Sequence, residues 1–171
     1  MASERKAERD AAFEQLFRAY QRPILNYLYR LLGDVSQAEE LAQDVFLRAY
    51  RALGRLSPEA NRRAWLYRIA TNAAYDHLRR RKLIQWLPLL GKEEQELQAE
   101  GDPEGTVVER EAVQRALAQI PLKYRVPLVL FSVQGYSTKE IGEILGISEG
   151  AVKTRLYRAR EKFREVYGGS I

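Results

Sequence analysis

Apolar residues recur along this chain at the three- and four-residue spacing of helices, and no alternating Val/Ile/Thr-rich run predicts a strand. Phe13, Leu16, Phe17 and Tyr20 fall at i, i+3, i+4 and i+7, one stripe of a helix. Pro23 is expected to restart or kink the chain, because a proline suits a first turn better than an interior. Ile24, Leu25, Leu28, Leu31 and Leu32 continue the apolar face to Gly33, a candidate stop. Ser36 and Glu39 have the S-x-x-E spacing of a capping box, predicting a helix with Leu41, Val45, Phe46 and Ala49 on one side. Glu39, Glu40, Gln43, Asp44 and Arg48 fall on the other side, and Leu53-Gly54 closes the helix. A third helix is predicted to start after Ser57-Pro58, or later around Asn61, and to run to about Lys82. Its inward face holds Leu66, Ile69, Ala73 and His77.

Residues 83–105 read as a connection. The segment opens with the apolar patch LIQWLPLLG, broken by Pro88 and expected to pack on the first domain. It continues with six acidic residues between Lys92 and Gly105 and no apolar stripe. Helical patterning then resumes with Val108, Val113 and Leu117, followed by an apolar helix from Leu122 to Val133 that ends at Gly135. Ser137-Thr138-Lys139-Glu140 is a second capping-box pattern, opening a helix that stops at Gly146. Ser148 is the expected cap of a last, longer helix reaching about Tyr167. The predicted fold class is all-α, with one small domain over 1–82 and another over 106–171.

Composition narrows the function. The chain has 171 residues, 46% of them hydrophobic and 30% charged, as in ordinary globular proteins. No apolar run approaches the roughly 18–20 residues of a membrane span, and the charged N-terminus has no signal-peptide core, so a cytoplasmic protein is expected. Without cysteine there is no disulfide or thiolate metal site, and His77 is the single histidine; no metal and no cofactor are expected. The net charge of +5 is unevenly placed. Residues 51–91 carry 9 basic against 2 acidic groups, residues 92–113 carry 2 against 8, and residues 114–171 carry 10 against 5. Two basic segments around an acidic one suit a polyanion touched at two places.

The two helices at 137–145 and 148–165 have the pattern of a helix-turn-helix. Ile141 and Leu145 line the first, Gly146 turns, and Gly142 leaves room for close approach. On the second, Val152, Leu156, Ala159 and Phe163 form an inward stripe beneath an exterior of Lys153, Thr154, Arg155, Tyr157, Arg158, Arg160, Lys162 and Arg164. Such a helix can donate to guanine edges and neutralise phosphates in a major groove. On the 64–82 helix, Trp65, Arg68, Asn72, Asp76 and Arg79 share one face, followed by the cationic run Arg79 to Lys82. An aromatic, guanidinium groups and an amide together suit single-stranded nucleic acid. No nucleotide-binding, zinc-protease or nucleophile-elbow motif is present, and no paired acid and base; an enzyme is not expected.

These motifs resemble the extracytoplasmic-function (ECF) subfamily of bacterial sigma-70-type factors across nearly the whole chain. Residues 34–50, DVSQAEELAQDVFLRAY, are similar to the region that docks on the clamp helices of RNA polymerase. The resemblance implies polymerase contacts at Glu40, Gln43, Asp44, Phe46 and Arg48. WLYRIATN at 65–72, with Asp76 and Arg79-Arg80, resembles the region that recognises and melts the −10 element. It places Asn72 and Asp76 there, with Trp65, Arg68 and Arg79 on the same face, and sets the loop near 56–62 around an extruded base. GYSTKEI at 135–141 and GAVKTRLYRAR at 150–160 resemble the region whose helix-turn-helix reads the −35 element, implying contacts by Lys153, Thr154, Tyr157 and Arg158. The implied partners are core polymerase (clamp helices and flap), promoter DNA and an anti-sigma factor, with no small-molecule substrate. In that family the linker threads through the polymerase, which would set the acidic run 93–104 near the RNA exit path. The rivals are a free-standing helix-turn-helix regulator and a helical adaptor that never touches DNA.

Overall fold

The computed structural model describes residues 1–85 and 107–168, and every regular element among them is an α-helix. A first half comprises α1 (Ala2–Leu32), α2 (Val35–Leu53) and α3 (Arg62–Gln85). A second comprises α4 (Val107–Gln119), α5 (Leu122–Ser132), α6 (Thr138–Leu145) and α7 (Glu149–Gly168). The apolar patch of the connection begins inside α3, whose last residues are Leu83 to Gln85, and Leu83 is exposed instead of packed on the first half. The rest of the patch and the acidic run of the connection fall outside the described residues.

Pro23 neither ends nor restarts α1, which continues through it for 31 residues. The apolar stripes on both sides of the proline bury against the rest of the half: Leu16 before it, and Ile24, Tyr27, Leu28 and Leu31 after it. That burial outweighs one lost backbone bond. Gly33 stops α1 at φ +75°, donating its amide to the Tyr29 carbonyl. Asp34, not Ser36, caps α2: it is extended at φ −137°, and its carboxylate accepts from the Gln37 amide at 3.0 Å. Ser36 already lies inside the first turn, so the expected capping box does not form. An ionised carboxylate one residue after the Gly33 stop is the better acceptor for an orphan amide.

Phe46 packs edge-on to Phe17, ring centres 5.0 Å apart, and to Phe13 at 6.4 Å, joining α2 to α1. Asn61 caps α3, accepting from the Ala64 amide at 3.1 Å. The buried face of α3 is Leu66, Tyr67, Ala70, Thr71, Ala73 and Ala74, wider than the pattern predicted. Thr71 donates back to the Tyr67 carbonyl at 2.7 Å, so the buried Tyr27 hydroxyl donates to Thr71, also at 2.7 Å. His77 lies at the edge, half-buried, with Nε2 2.8 Å from the Gln37 side-chain oxygen.

In the second half, Ile120, Val126, Val129, Leu130, Ile141, Ile144, Val152, Leu156 and Ala159 are buried together. The two halves also pack on each other, so that one apolar cluster runs through both.

Candidate nucleic-acid interface

The turn between α6 and α7 is fixed by local chemistry. The Ser137 hydroxyl accepts from the Glu140 amide at 3.1 Å and the Glu140 carboxylate accepts from the Ser137 amide at 2.8 Å, a complete capping box. Those hydrogen bonds, with Arg63 nearby, hold the Glu140 carboxyl below its ordinary pKa. Gly146 ends α6 at φ +67°. A Cβ on Gly142 would lie 2.8 Å from the Ile147 carbonyl oxygen, so the close turn needs glycine there. Ser148 caps α7 by accepting from the Ala151 amide at 3.1 Å.

With Val152, Leu156 and Ala159 buried, α7 turns the predicted stripe outward. Lys153, Thr154 and Arg158 are exposed, and Tyr157 is 61% exposed, an unusual setting for a large aromatic ring. Thr154 donates to the Gly150 carbonyl at 3.1 Å, leaving its oxygen as an acceptor for a partner. Glu149, which the sequence pattern did not single out, joins the two helices of the motif. Its carboxylate accepts from the Thr138 hydroxyl at 2.7 Å and lies 3.6 Å from the Lys153 ammonium. The Thr138 hydrogen bond, then the Lys153 charge, hold its carboxyl below the usual range. Arg155 is half-buried beside Tyr75 of α3 instead of joining the outer stripe.

On α3, Arg68, Asn72 and Arg79 are exposed and Asp76 is half-exposed, with Arg79 3.7 Å from Asp76. Trp65 differs from the expectation of a free stacking ring: it is half-buried and packs against the core. The exposed face of α3 also meets the second half. Arg68 donates through Nε to the Ile144 carbonyl at 3.2 Å and through Nη2 to the Glu143 carbonyl. Arg63 pairs with Glu140 at 2.7 Å and stacks 4.5 Å above the Tyr136 ring. Neither Arg63 nor Tyr67 was singled out in the sequence, because a contact between halves leaves no periodic trace.

On α2, Glu40 and Gln43 are exposed, and Asp44 and Arg48 are half-exposed and paired at 2.8 Å. Phe46 corrects the expected set: it is 5% exposed, under that face, where its packing on Phe13 and Phe17 withholds it from a partner. Leu47, the next residue, is 47% exposed beside the acidic residues. Its spacing of seven from Glu40 and four from Gln43 would have found it. A groove of about 380 Å³ between α4, α5 and α7 is walled by Val113, Leu117, Leu128 and Phe163 and flanked by Arg160 and Arg164. Among the described residues no cluster of His, Asp or Glu could hold a metal, and no helix is long and apolar enough to cross a membrane.

The arrangement is shared with known proteins. Residues 16–84 match the family model for sigma-70 region 2, and residues 110–163 match that for sigma-70 region 4. The ECF RNA polymerase sigma factor SigW of Bacillus subtilis is 37% identical, the match covering 94% of this chain and 91% of that protein. The ECF RNA polymerase sigma factor SigM of Mycobacterium tuberculosis is also 37% identical, over 92% of this chain and 78% of its own length. The fold resembles that of the sigma factor RpoE from Bartonella quintana, solved with the anti-sigma factor NepR, at a TM-score of 0.78. That match has 22% identity and covers 91% of this chain and 96% of the other. It also resembles CnrH, solved with the cytosolic domain of CnrY, at a TM-score of 0.74 and 24% identity, covering 99% and 96%.

Proposed function

The chain belongs to the ECF sigma factors of the sigma-70 family, non-enzymatic subunits that bind RNA polymerase and direct promoter-specific initiation, and on that premise we propose how its residues divide the task. The first half, residues 1–82, docks on the polymerase clamp helices through Glu40, Gln43, Asp44 and Arg48, with Leu47 supplying the apolar contact and Phe46 supporting them from beneath. The second half, residues 106–171, sets α7 in the major groove of the −35 element, where Lys153, Thr154, Tyr157 and Arg158 reach base edges and phosphates. Its apolar groove, flanked by Arg160 and Arg164, receives the polymerase flap. Residues 83–105 connect the two.

Arg68, Asn72, Asp76 and Arg79 then hold the unpaired non-template strand at −10, with Trp65 fixing the wall they stand on. Separating a base step costs about 1.4 kcal/mol of stacking. Capture of an unpaired base gains about 1–3 kcal/mol, enough to offset it. Selectivity therefore arises from which bases are captured, and the bond-forming chemistry belongs to the polymerase. The factor acts in the cytoplasm, where polymerase and chromosome meet, and an anti-sigma protein of the kind bound by its structural relatives restrains it.

The observation that carries this reading is the outer stripe of α7, four exposed groups able to reach DNA over a fully apolar inner seam. The free-standing regulator is disfavoured, since such a protein has no use for a region 2 half. Run-off transcription with purified core polymerase tests the proposal. Specific transcripts should appear only when the chain is added, and a core enzyme indifferent to it would refute the assignment.

A further inference from the structure

Glu149 has no part in the division of tasks above, yet it stands among the residues given to −35 DNA. It lies one helical turn before Lys153, on the same row of α7, and its side chain is 47% exposed. It is the only carboxylate in residues 149–158, the stretch that carries all four proposed contacts. Phosphates repel such a charge, so a carboxylate on this face is favourable only where a hydrogen-bond donor meets it.

Two contacts fix where the group points. Oε1 accepts from the Thr138 hydroxyl at 2.7 Å, tying the start of α7 to the start of α6, and lies 3.6 Å from the Lys153 ammonium. The Thr138 hydrogen bond, then the Lys153 charge, hold the carboxyl below its ordinary pKa, so it meets DNA ionised. Both contacts are made by Oε1, and Oε2 keeps its lone pairs for a partner. Lys153 and Glu149 therefore present a cationic donor and an anionic acceptor side by side. The major-groove edge of a G·C pair presents the converse: guanine O6 and N7 accept, and the cytosine amino group donates. O6 and that amino group are bonded to each other at about 2.9 Å, close to the spacing of the protein pair.

We propose that Glu149 is a specificity-determining residue: with Lys153 it reads one G·C pair of the −35 element and fixes which strand carries the guanine. The inference rests on the proposed place of α7 in the major groove. Laid edge to edge, the ammonium meets O6 and N7 and the carboxylate meets the amino group. Turning the base pair over to C·G sets ammonium against amino group and carboxylate against O6, two repulsions in place of two bonds. A T·A pair offers the ammonium one acceptor instead of two and sets the thymine methyl group beside it. The rival role is a brace between α6 and α7 through Thr138. A brace acts on every contact of α7 alike, whereas a reader acts at one base pair.

The test uses holoenzyme, core polymerase with the full chain, on templates built from a −35-dependent promoter with every −35 base pair randomised, and counts transcripts by sequencing. At one position the unaltered holoenzyme should prefer G·C over C·G by at least about fivefold, as one good base-edge contact supplies. Glu149→Ala should lower that preference below about twofold and leave the preferences at the other positions standing. Thr138→Val, which removes the hydrogen bond and keeps the carboxylate, should retain it. Preferences in Glu149→Ala that match the unaltered ones everywhere, or that weaken equally everywhere, would overturn the reading of a base by Glu149. Loss of the same preference in Thr138→Val would reassign Glu149 to bracing and overturn it too. No preference at any −35 position in the unaltered holoenzyme would instead overturn the role of α7 itself.

Discussion

Gly142 faces the backbone of its own turn, and a methyl group there would press on the Ile147 carbonyl, so that backbone would have to shift. Gly142→Ala should therefore cost about 1–3 kcal/mol of stability, as overpacking does. That amounts to a fall in Tm of about 2–4 °C per kcal/mol in a chain of this size, read by thermal circular dichroism. Glu140 makes a prediction about pH. A carboxylate whose pKa is lowered by folding stabilises the fold above its ordinary value, and the contribution disappears as pH falls through the lowered one. Melting temperature should decline on acidification in the unaltered chain, and decline less steeply in Glu140→Gln; parallel curves would assign the acid sensitivity elsewhere. At the DNA face, Arg158→Ala should remove about 1–3 kcal/mol of recognition. Run-off transcription from a −35-dependent promoter should drop by at least about fivefold, the equivalent of about 1 kcal/mol, and an unaltered yield would remove Arg158 from the contact.

The start of α2 separates two readings of one stretch of sequence. Asp34→Ala should cost about 1 kcal/mol, the ordinary loss for a helix cap. Ser36→Ala should cost almost nothing, and the reverse order in chemical denaturation would restore the capping box expected there. The true capping box, at Ser137 and Glu140, was legible because the turn residues around it leave no competing cap nearby. The two inner stripes of the helix-turn-helix were legible for a similar reason: their apolar residues keep strict helical spacing against polar neighbours. Phe46 was not. Its place in the motif suggested a partner contact, whereas its burial depends on two rings of α1 that are distant in sequence. The polymerase face is better tested at Leu47. Leu47→Glu should abolish co-elution with core polymerase while leaving helix content unchanged, and undiminished co-elution would take α2 out of that interface.

At the scale of the whole molecule, the order of the helices could be read from the chain, but the way the halves meet could not. Arg125, Gln114 and Arg68 find backbone carbonyls, which every residue carries, so no side-chain pattern marks the partner. Trp65 shows the same limit: its face was predicted, while its depth depends on what packs beside it. The unbroken passage of α1 through Pro23 bears on how such a molecule can move. The ring removes one amide from the helical ladder between the stretch that carries Phe13 and Phe17 and the stretch that carries Tyr27 and Leu31. The first stretch braces α2; the second bears the arginine of the other half. A single rod with a compliant joint between its two loads lets one end swing while the other stays seated, so torque arising at the far module need not loosen the grip of the near one.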